Sequence, residues 1–215
     1  MAAPFPQEAY TITTPRLIIR SAVPEDDDAL YKLLSTPENQ PFDAVQPGLS
    51  PEVMRARINR WKPMTAAGKN AFMVVVLRET GEVIGNGGYN CFEDDSGTSV
   101  AQEDGEDGVQ GRPYLTDTGV VLDHRHWGKG YGRETLCAKV EYAVEELGCR
   151  VVRVETADDN KPWRALMASL GLAEIETKGP SCKRGFEEKG EVAVVNIDKS
   201  CSKTREDKIV QTCSG

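Results

Sequence analysis

The sequence predicts a mixed α/β fold in which one central sheet is covered by helices. Its 215 residues, 39% of them hydrophobic, are enough to form one sizeable core and show no internal repeat or linker. Segments typical of strands and segments typical of helices are interleaved in the order strand, two helices, three strands, helix, strand, helix, two strands. This order favours a single α/β domain over separate α and β units.

The first half of the chain supplies three predicted strands and two predicted helices. Branched apolar residues indicate the first strand, proline followed by acids indicates the first helix, and Ser50 before Pro51 is a typical N-cap for the second. Glu79-Thr80-Gly81 is typical of a short hairpin. The predicted elements are strand Thr14–Arg20, helix Pro24–Leu34, a helix from Pro51 that includes Trp61, and strands Ala71–Arg78 and Glu82–Tyr89.

The second half begins with an acidic, glycine-rich segment, residues 91–111, which we expect to be an exposed excursion. Beyond it, apolar residues at helical spacing from Leu136 to Leu147 predict a buried helix face that ends at Gly148. The predicted elements are strand Thr116–Asp123, helix Gly132–Leu147, strand Val151–Ala157, helix Pro162–Leu170, and strands Leu172–Thr177 and Glu191–Asp198. We expect residues 1–10 to be a flexible arm and 199–215 a flexible tail, which leaves 11–198 as the domain.

The charge and hydropathy of the chain argue against two kinds of partner. The net charge is −8 and the isoelectric point about 5.0, and the segment 91–111 alone contains seven acids and no Lys or Arg. A nucleic-acid binder relies on positive surface, so nucleic acid is not an expected partner. The longest apolar run, Ala71–Leu77, is too short to span a membrane, and the first residues lack the pattern of a signal peptide. We therefore expect no membrane partner and a cytoplasmic location.

The metal-binding and nucleophilic residue types are not arranged for metal or covalent chemistry. None of the six cysteines forms a C-x-x-C pair, and His124 and His126 lack a third ligand nearby in the sequence. No convincing Cys–His or Ser–His–Asp grouping is present. The sequence therefore predicts no metal site and no enzyme nucleophile.

The most informative segment is DHRHWGKGYGR, residues 123–133, between a predicted strand and a predicted helix. Glycines let successive N–H groups point the same way, and the helix start adds positive potential. The segment predicts a cradle for a pyrophosphate, with a tight strand-to-helix turn as the alternative. Its glycine spacing fits neither a Walker A loop nor a dinucleotide-binding fingerprint. The glycines are Gly128, Gly130 and Gly132, and the basic residues around them are Arg125, Lys129 and Arg133.

The hexapeptide Trp127-Gly128-Lys129-Gly130-Tyr131-Gly132 resembles the acetyl-CoA loop of the GNAT superfamily of N-acetyltransferases, in its RimJ/RimL-like branch. Three further stretches are similar to that branch and occur in the expected order. They are the opening strand Thr14–Arg20, the strand Asp117–Leu122 before the loop, and Asn160 followed by Leu170-Gly171-Leu172. The resemblance covers roughly residues 11–198.

The resemblance implies a single, mostly antiparallel sheet of about seven strands with about four helices, splayed in the middle to hold CoA. Acetyl-CoA would be the acyl donor, with its pyrophosphate on backbone N–H groups of the loop. Its pantetheine arm would lie in the splay, paired with backbone groups of Leu122 and Asp123 and bound by Asn160. The residues that the resemblance assigns to CoA are Leu122, Asp123, Trp127, Gly128, Lys129, Gly130, Tyr131, Gly132, Arg133, Asn160 and Trp163.

Direct transfer of the acetyl group requires an unprotonated amine, so a base is useful. Asp117 lies where the branch often has an acid, and Glu155 on the neighbouring strand is the second candidate; the alternative for both is an ion-paired or solvated strand acid. Three residues depart from the family pattern, and one of them is Leu172, which replaces the usual Phe. Met167 replaces a Tyr that protonates the leaving thiolate, which leaves water or another residue for that step. Trp163 replaces a Ser, and it either narrows the thioester channel, stacks on substrate or belongs to the core.

The sequence therefore predicts an acetyl-CoA-dependent N-acetyltransferase that acts on a primary amine of a small molecule or of a peptide N-terminus. The alternative is a CoA-binding protein of the same fold that has lost turnover and serves binding or regulation. The acidic segment 91–111 favours a cationic amine if it covers the acceptor site, and is otherwise a solvated loop. Monomer and homodimer are both compatible with the sequence.

Overall fold

The computed structural model describes residues 4–42, 45–101, 111–180 and 191–198, which contain one eight-stranded sheet and four α-helices. The strands are β1 (Thr11–Thr13), β2 (Leu17–Ser21), β3 (Ala71–Leu77), β4 (Val83–Glu93), β5 (Leu115–Leu122), β6 (Val151–Ala157), β7 (Glu176–Pro180) and β8 (Glu191–Asp198). The helices are α1 (Asp27–Ser35), α2 (Pro51–Ala66), α3 (Tyr131–Tyr142) and α4 (Lys161–Ser169). The predicted α/β architecture is confirmed.

The strands lie in the order β1-β2-β3-β4-β5-β6-β8-β7. Every neighbouring pair is antiparallel except β5–β6, which is parallel. Parallel strands need a crossover connection, and α3 together with a wider turn at Ala143–Leu147 provides it. The expectation of one mostly antiparallel sheet is therefore confirmed, with eight strands rather than about seven.

Two cores lie on opposite faces of the sheet. On one face the side chains of α3 and α4 pack with alternate strand residues. This core includes Leu136 and Val140 of α3 and Leu122 of β5. On the other face α1 and α2 pack against the sheet through a smaller core: Leu30, Leu33, Met54, Ile58, Val74 and Val76. The apolar stripe predicted on α3 is thus buried as expected, because its helical spacing places it on one side of the helix.

Two strands differ from the sequence prediction, β1, which was not predicted, and β7, which begins later than predicted. In both, the sequence pattern extends over only a few residues. β1 has only three residues, with Ile12 buried between two exposed threonines, and it pairs with β2 across the turn at Pro15. In the segment predicted as strand Leu172–Thr177, residues Ala173–Ile175 form a helical turn and the strand begins at Glu176. Alternation over so few residues is a weak signal.

The described part of the segment predicted as an arm contacts the domain. Phe5 packs edge-on against Phe92 with ring centroids 4.9 Å apart, and Gln7 donates a hydrogen bond to the Tyr142 hydroxyl at 3.0 Å. Tyr10 is fully buried. The limits 11–198 for the domain stay a prediction, and the predicted tail 199–215 lies outside the described residues.

Candidate functional site

The parallel pair β5–β6 opens into a gap soon after it begins. Pairing ends where Asp117 lies opposite Arg153, although β5 continues to Leu122 and β6 to Ala157. Beyond that point the two strands, which are described in full, have separate partners: β5 pairs with β4, and β6 pairs with β8. The expected splay of the sheet is therefore present. We call the unpaired region beyond Asp117 and Arg153 the β5–β6 gap.

The start of α3 lies beside the open end of this gap and presents backbone N–H groups. Gly130 is the N-cap residue, and its carbonyl accepts the first helical bond from the N–H of Glu134 at 3.1 Å. The N–H groups of Tyr131 and Gly132 precede that bond and so have no acceptor within the helix. Such a helix start attracts anions.

The loop before α3 leaves room for a ligand at these N–H groups. Gly128 and Gly130 have φ values of 73° and 80°, in the left-handed region that favours glycine. A Cβ atom at Gly128 would meet no atom within 4 Å. The side chain of Lys129 between them is exposed and adds positive charge. The glycines and the helix start therefore fit a pyrophosphate such as that of acetyl-CoA.

Both backbone groups of Asp123 are bonded inside the protein. Its N–H donates to the Ile84 carbonyl at 2.9 Å, and its carbonyl accepts from the His126 N–H at 2.8 Å. Its carboxylate binds Arg125 at 2.7 Å, which lowers the pKa of Asp123 to about 2. The Asp123 N–H is therefore occupied by the turn that leads into the loop. Pairing of the Asp123 backbone with the pantetheine arm stays a prediction, for which the second acceptor site of the carbonyl is available.

Leu122 remains a candidate for that pairing. Successive residues of a strand direct their N–H groups to opposite edges. The Asp123 N–H donates to the Ile84 carbonyl of β4, so the Leu122 N–H faces the gap. The Leu122 carbonyl accepts a hydrogen bond from Trp127 Nε1 at 2.8 Å. Trp127 is 44% exposed. The indole is thus held at the rim of the gap by the strand that forms its edge.

Asn160 is the N-cap residue of α4. Its Oδ1 accepts from the Trp163 N–H at 3.1 Å, and its Nδ2 donates to Thr156 Oγ1 at 2.9 Å. These bonds use one acceptor site and one N–H of the amide, which can form two of each. Binding of the pantetheine arm by Asn160 stays a prediction, and the cap explains why the side chain has a fixed orientation.

Two departures from the family pattern lie on α4. The Trp163 side chain is half-buried and packs against the core on the α3 face, as expected if it is a core residue; its other two roles stay predictions. Met167 is only 1% exposed and belongs to the same core. Its thioether has no proton to donate, so the Met167 position supplies no acid to a leaving thiolate.

The two acids predicted as bases lie at the closed end of the gap around one guanidinium. Asp117 Oδ2 and Glu155 Oε1 are each 3.4 Å from Arg153 Nε, and Glu93 Oε2 is 3.8 Å from Arg153 Nη1. Asn90 Nδ2 donates to the other Asp117 oxygen. We call Glu93, Asp117, Arg153 and Glu155 the acid cluster. Its three carboxylates outnumber its guanidinium, so it has a formal excess of two negative charges.

The acid cluster and the loop lie on opposite faces of the sheet. Val121 shares a face with Asp117, because side chains alternate along a strand, and it packs against the α1–α2 core. Leu122, on the other face, packs into the core beneath α3. The β5–β6 gap therefore connects a cradle of N–H groups on the α3 face with the acid cluster on the α1–α2 face.

Lys139 on α3 is a further ionisable residue near the gap, and the sequence analysis missed it. It is fully buried, and its Nζ donates to the Gly119 carbonyl of β5 at 2.7 Å. Burial lowers the pKa of Lys139 to about 7, although Asp117 opposes the shift. A lysine beside Val140, inside the apolar stripe of α3, was the signal that could have revealed it.

The histidines next to the loop have structural partners. His124 Nδ1 lies 2.9 Å from Asn39 Oδ1, and His126 Nε2 lies 3.6 Å from Glu82. Among residues 4–42, 45–101, 111–180 and 191–198, no group of three or more His, Cys, Asp and Glu side chains could hold a metal ion. Over the same residues, no helix has the length and apolar character needed to cross a membrane.

A mostly antiparallel sheet whose parallel strand pair opens beside a glycine-rich helix start defines a class of protein, the acyltransferases that use acyl-CoA donors. The family model described as acetyltransferase (GNAT) domain matches residues 16–173. The chain therefore belongs to the GNAT acetyltransferase family. Its activity class is acetyl-CoA-dependent N-acetyl transfer.

Relatives and solved structures agree with this assignment. An uncharacterised N-acetyltransferase, p20 of Bacillus licheniformis, is 25% identical over 75% of this chain and 82% of its own length. The structure of RimJ from Mycobacterium smegmatis with a CoA disulfide matches with a TM-score of 0.63 and 15% identity, over 93% of this chain and 91% of that one. The structure of RimL, a ribosomal-protein acetyltransferase, with coenzyme A matches with a TM-score of 0.65 and 16% identity, over 88% and 98%. The GNAT family inferred from the sequence is confirmed, and the fold is shared with RimJ and RimL, which is consistent with the RimJ/RimL-like branch.

Proposed function

We propose that this protein transfers the acetyl group of acetyl-CoA directly to a primary amine, which belongs to a small cationic molecule or to a peptide N-terminus. The observation that carries the proposal is the β5–β6 gap with an anion cradle on one face and the acid cluster on the other. A donor can reach the gap from the α3 face while an amine reaches it from the α1–α2 face. The two substrates then meet without a covalent enzyme intermediate.

The donor side relies on backbone groups. The pyrophosphate of acetyl-CoA would accept hydrogen bonds from the N–H groups at the start of α3, with Lys129 and Arg133 adding positive charge. The pantetheine arm would follow the edge of β5, where the backbone of Leu122 faces the gap. Trp127 and Tyr131 flank the loop, and Asn160 lies on the opposite side near α4. These assignments follow the family motif residue by residue.

The acceptor side relies on side chains. An amine that enters from the α1–α2 face meets a cluster with more carboxylates than guanidinium groups, and this balance favours a cationic acceptor. Arg153 competes with the incoming ammonium for the oxygens of Asp117 and Glu155. A bound acceptor therefore has to displace part of an existing ion pair, which favours amines that hydrogen-bond well at this position.

The proposed chemistry is a single displacement. The neutral amine attacks the thioester carbonyl carbon, the C–N bond forms and the C–S bond breaks with its electron pair on sulfur. Asp117 accepts the proton that the amine loses, and Glu155 is the second candidate for this role. The thiolate takes its proton from solvent, since Met167 has none to give.

The class of acceptor is suggested by two properties. RimL, among the structural neighbours, is a ribosomal-protein α-N-acetyltransferase, which supports a peptide N-terminus. The segment between β4 and β5 carries Asp94 and Asp95 near the acid cluster, which supports a positively charged acceptor of either size. The two aspartates thus favour an amine with further positive charge close to it, and the RimL neighbour favours a peptide N-terminus among such amines.

The proposal is tested by donor binding followed by thiol release. Titration calorimetry with acetyl-CoA and with free CoA should give micromolar affinity for both. Release of CoA thiol is then measured with cationic peptides whose charge comes from arginine, the same peptides blocked by N-terminal acetylation, and polyamines. We expect release with free amines and none above background with the blocked peptides.

Two outcomes would contradict the proposal at different points. Binding of acetyl-CoA without thiol release over the whole panel would favour the alternative, a CoA-binding protein of this fold that has lost turnover. No binding at millimolar donor would mean that the glycines form only a turn. Release that is equal with free and blocked peptides would show that water, not an amine, accepts the acetyl group.

A further inference from the structure

Arg16 connects the turn between β1 and β2 to the loop before α3. Its Nη1 donates to the Lys129 carbonyl at 2.9 Å, and its Nε binds Glu134 Oε2 at 2.6 Å. Its guanidinium carbon lies 4.5 Å from the ring centroid of Tyr131, stacked over the ring. One planar side chain thus contacts the loop, the first residue of α3 and the first full turn of that helix.

Glu134 is fixed from the other side as well. Its Oε1 accepts from Thr14 Oγ1 at 2.6 Å and from the backbone N–H of Arg16 at 3.0 Å. Burial raises the pKa of Glu134, but these hydrogen bonds outweigh burial and hold the pKa below its ordinary value. We call Thr14, Arg16 and Glu134 the Arg16 clamp. It holds together two segments about 120 residues apart in the sequence.

The bond to the Lys129 carbonyl has a consequence for the next N–H group. The peptide bond between Lys129 and Gly130 is trans, since the described residues contain a cis bond only between Phe5 and Pro6. In a trans peptide the C=O and the N–H point in opposite directions. Because the carbonyl points to Arg16, the N–H of Gly130 points away from Arg16, on the side of the exposed loop surface.

The loop needs such a restraint. Gly128 and Gly130 have no side chains to hold them, and glycine visits more backbone conformations than any other residue. An anion site built from backbone N–H groups is effective only when those groups already point to the ligand, because ordering them on binding costs affinity. The Arg16 clamp is the side-chain structure that contacts the loop carbonyl directly.

We propose that Arg16 is a positioning residue for donor binding, which orients the Gly130 N–H toward the pyrophosphate of acetyl-CoA by holding the Lys129 carbonyl. The inference rests on the proposed function, namely that this loop binds the donor's pyrophosphate. A positioning role differs from simple attraction of phosphate by the Arg16 charge, because positioning depends on the planar, forked shape of the guanidinium. Lysine carries the same charge but cannot bind Glu134 and the Lys129 carbonyl in the same fixed geometry.

The test compares Arg16→Lys and Arg16→Met with a matched control, Arg78→Met. Arg78 Nη1 binds the Thr14 and Pro15 carbonyls of the same turn without contact to the loop. Calorimetric titration with CoA should show affinity lowered by roughly 10-fold or more in both Arg16 variants, equivalent to about 1.4 kcal/mol. The control variant should stay within about twofold of the wild type.

A second donor separates positioning from general destabilisation. S-acetylpantetheine carries the thioester but no pyrophosphate, so its kcat/KM should be the same in wild type and Arg16 variants. With acetyl-CoA the KM should rise while kcat at saturation changes by less than about threefold. Glu134→Gln, which keeps the Thr14 bond but weakens the ion pair, should give a smaller increase in the KM for acetyl-CoA.

The outcomes distinguish this inference from the proposed function. Wild-type affinity in Arg16→Lys together with a loss in Arg16→Met would show that Arg16 acts by charge, and would overturn positioning. Equal losses with acetyl-CoA and S-acetylpantetheine would assign Arg16 a merely structural role. If the wild type itself does not bind CoA, the proposed function fails instead, whatever the variants do.

Discussion

The two ends of the β5–β6 gap are built in different ways. The open end consists of backbone N–H groups from one contiguous segment, residues 123–133, where glycines remove side chains. The closed end consists of side chains from three strands, β4, β5 and β6, gathered around Arg153. A backbone site depends on conformation and tolerates changes in charge, whereas a side-chain site depends on the identity of each group. Substitutions should therefore separate donor binding from transfer.

The largest effect is expected from Gly130→Val at the open end. Gly130 has φ of 80°, a conformation that branched side chains adopt only with strain. The substituted loop must rearrange, and the N–H groups at the start of α3 then lose their common direction. We expect CoA affinity to fall by about 100-fold or more, measured by calorimetric titration, under both the enzymatic and the non-catalytic alternative.

Gly97→Val is the matched control for this experiment. Gly97 has almost the same φ, 81°, and lies beyond the end of β4, outside the loop. A Cβ at Gly97 would meet no atom within 4 Å, whereas one at Gly130 would lie 3.4 Å from Arg16 Nη2. The CoA affinity of Gly97→Val should equal that of the wild type even if its melting temperature falls. Unchanged CoA binding in Gly130→Val would disprove the cradle assignment.

At the closed end, Asp117→Asn should impair transfer and spare donor binding. The amide keeps the shape of the carboxylate and can still bind Asn90 or Arg153, but it cannot accept the proton of the amine. General-base catalysis contributes about 10²–10⁴-fold, so we expect kcat to fall about 100-fold or more while the CoA dissociation constant changes by less than threefold. Thiol release with a cationic peptide measures the first quantity and calorimetry the second.

Glu155→Gln provides the comparison within the acid cluster. Both carboxylates lie 3.4 Å from Arg153 Nε, so loss of an ion pair affects the two variants alike. If Asp117 is the base, its variant should be slower than the Glu155 variant by about tenfold. The reverse order would assign the base to Glu155, and equal, small losses would show that both acids serve only to hold Arg153.

The contrast between a site built from one contiguous segment and a site built from several strands also explains which parts of the candidate site could be predicted from the sequence. The loop was predictable, because its glycines, basic residues and following helix are adjacent in the chain. Asp117 and Glu155 were predictable as candidates from strand alternation, but Arg153 between them required the register of β5 against β6. The Arg16 clamp joins residues more than 100 positions apart, and no local pattern indicates such a pair. The direction of the Asp123 N–H could not be predicted either, since it depends on the ladder with β4.

The smallest effect is expected at Lys139, which lies between the two ends of the gap on the α3 face. The question is whether burial of its amino group affects the stability of the protein or the binding of the donor. Its pKa is about 7 in the folded protein, against an ordinary value of 10.5. Between these pH values the unfolded chain binds more protons at this group than the native protein does. The free energy of unfolding should therefore rise with pH from 7 upward because of Lys139, with a slope of at most about 1.4 kcal/mol per pH unit.

Lys139→Met removes this titration and nearly preserves the length of the side chain. Denaturant unfolding at pH 7, 8 and 9 should show that the wild type gains stability relative to Lys139→Met as pH rises, while the exposed-lysine control Lys62→Met follows the wild type. Above pH 9 the Cys91 thiol, whose pKa burial raises to about 12, opposes the trend equally in all three proteins. If the free energy of unfolding changes with pH in the same way in wild type and Lys139→Met, the amino group reaches water in the native state. A loss of CoA affinity in Lys139→Met would place it instead with the donor site, because the Gly119 carbonyl that it holds lies on the strand that borders the gap.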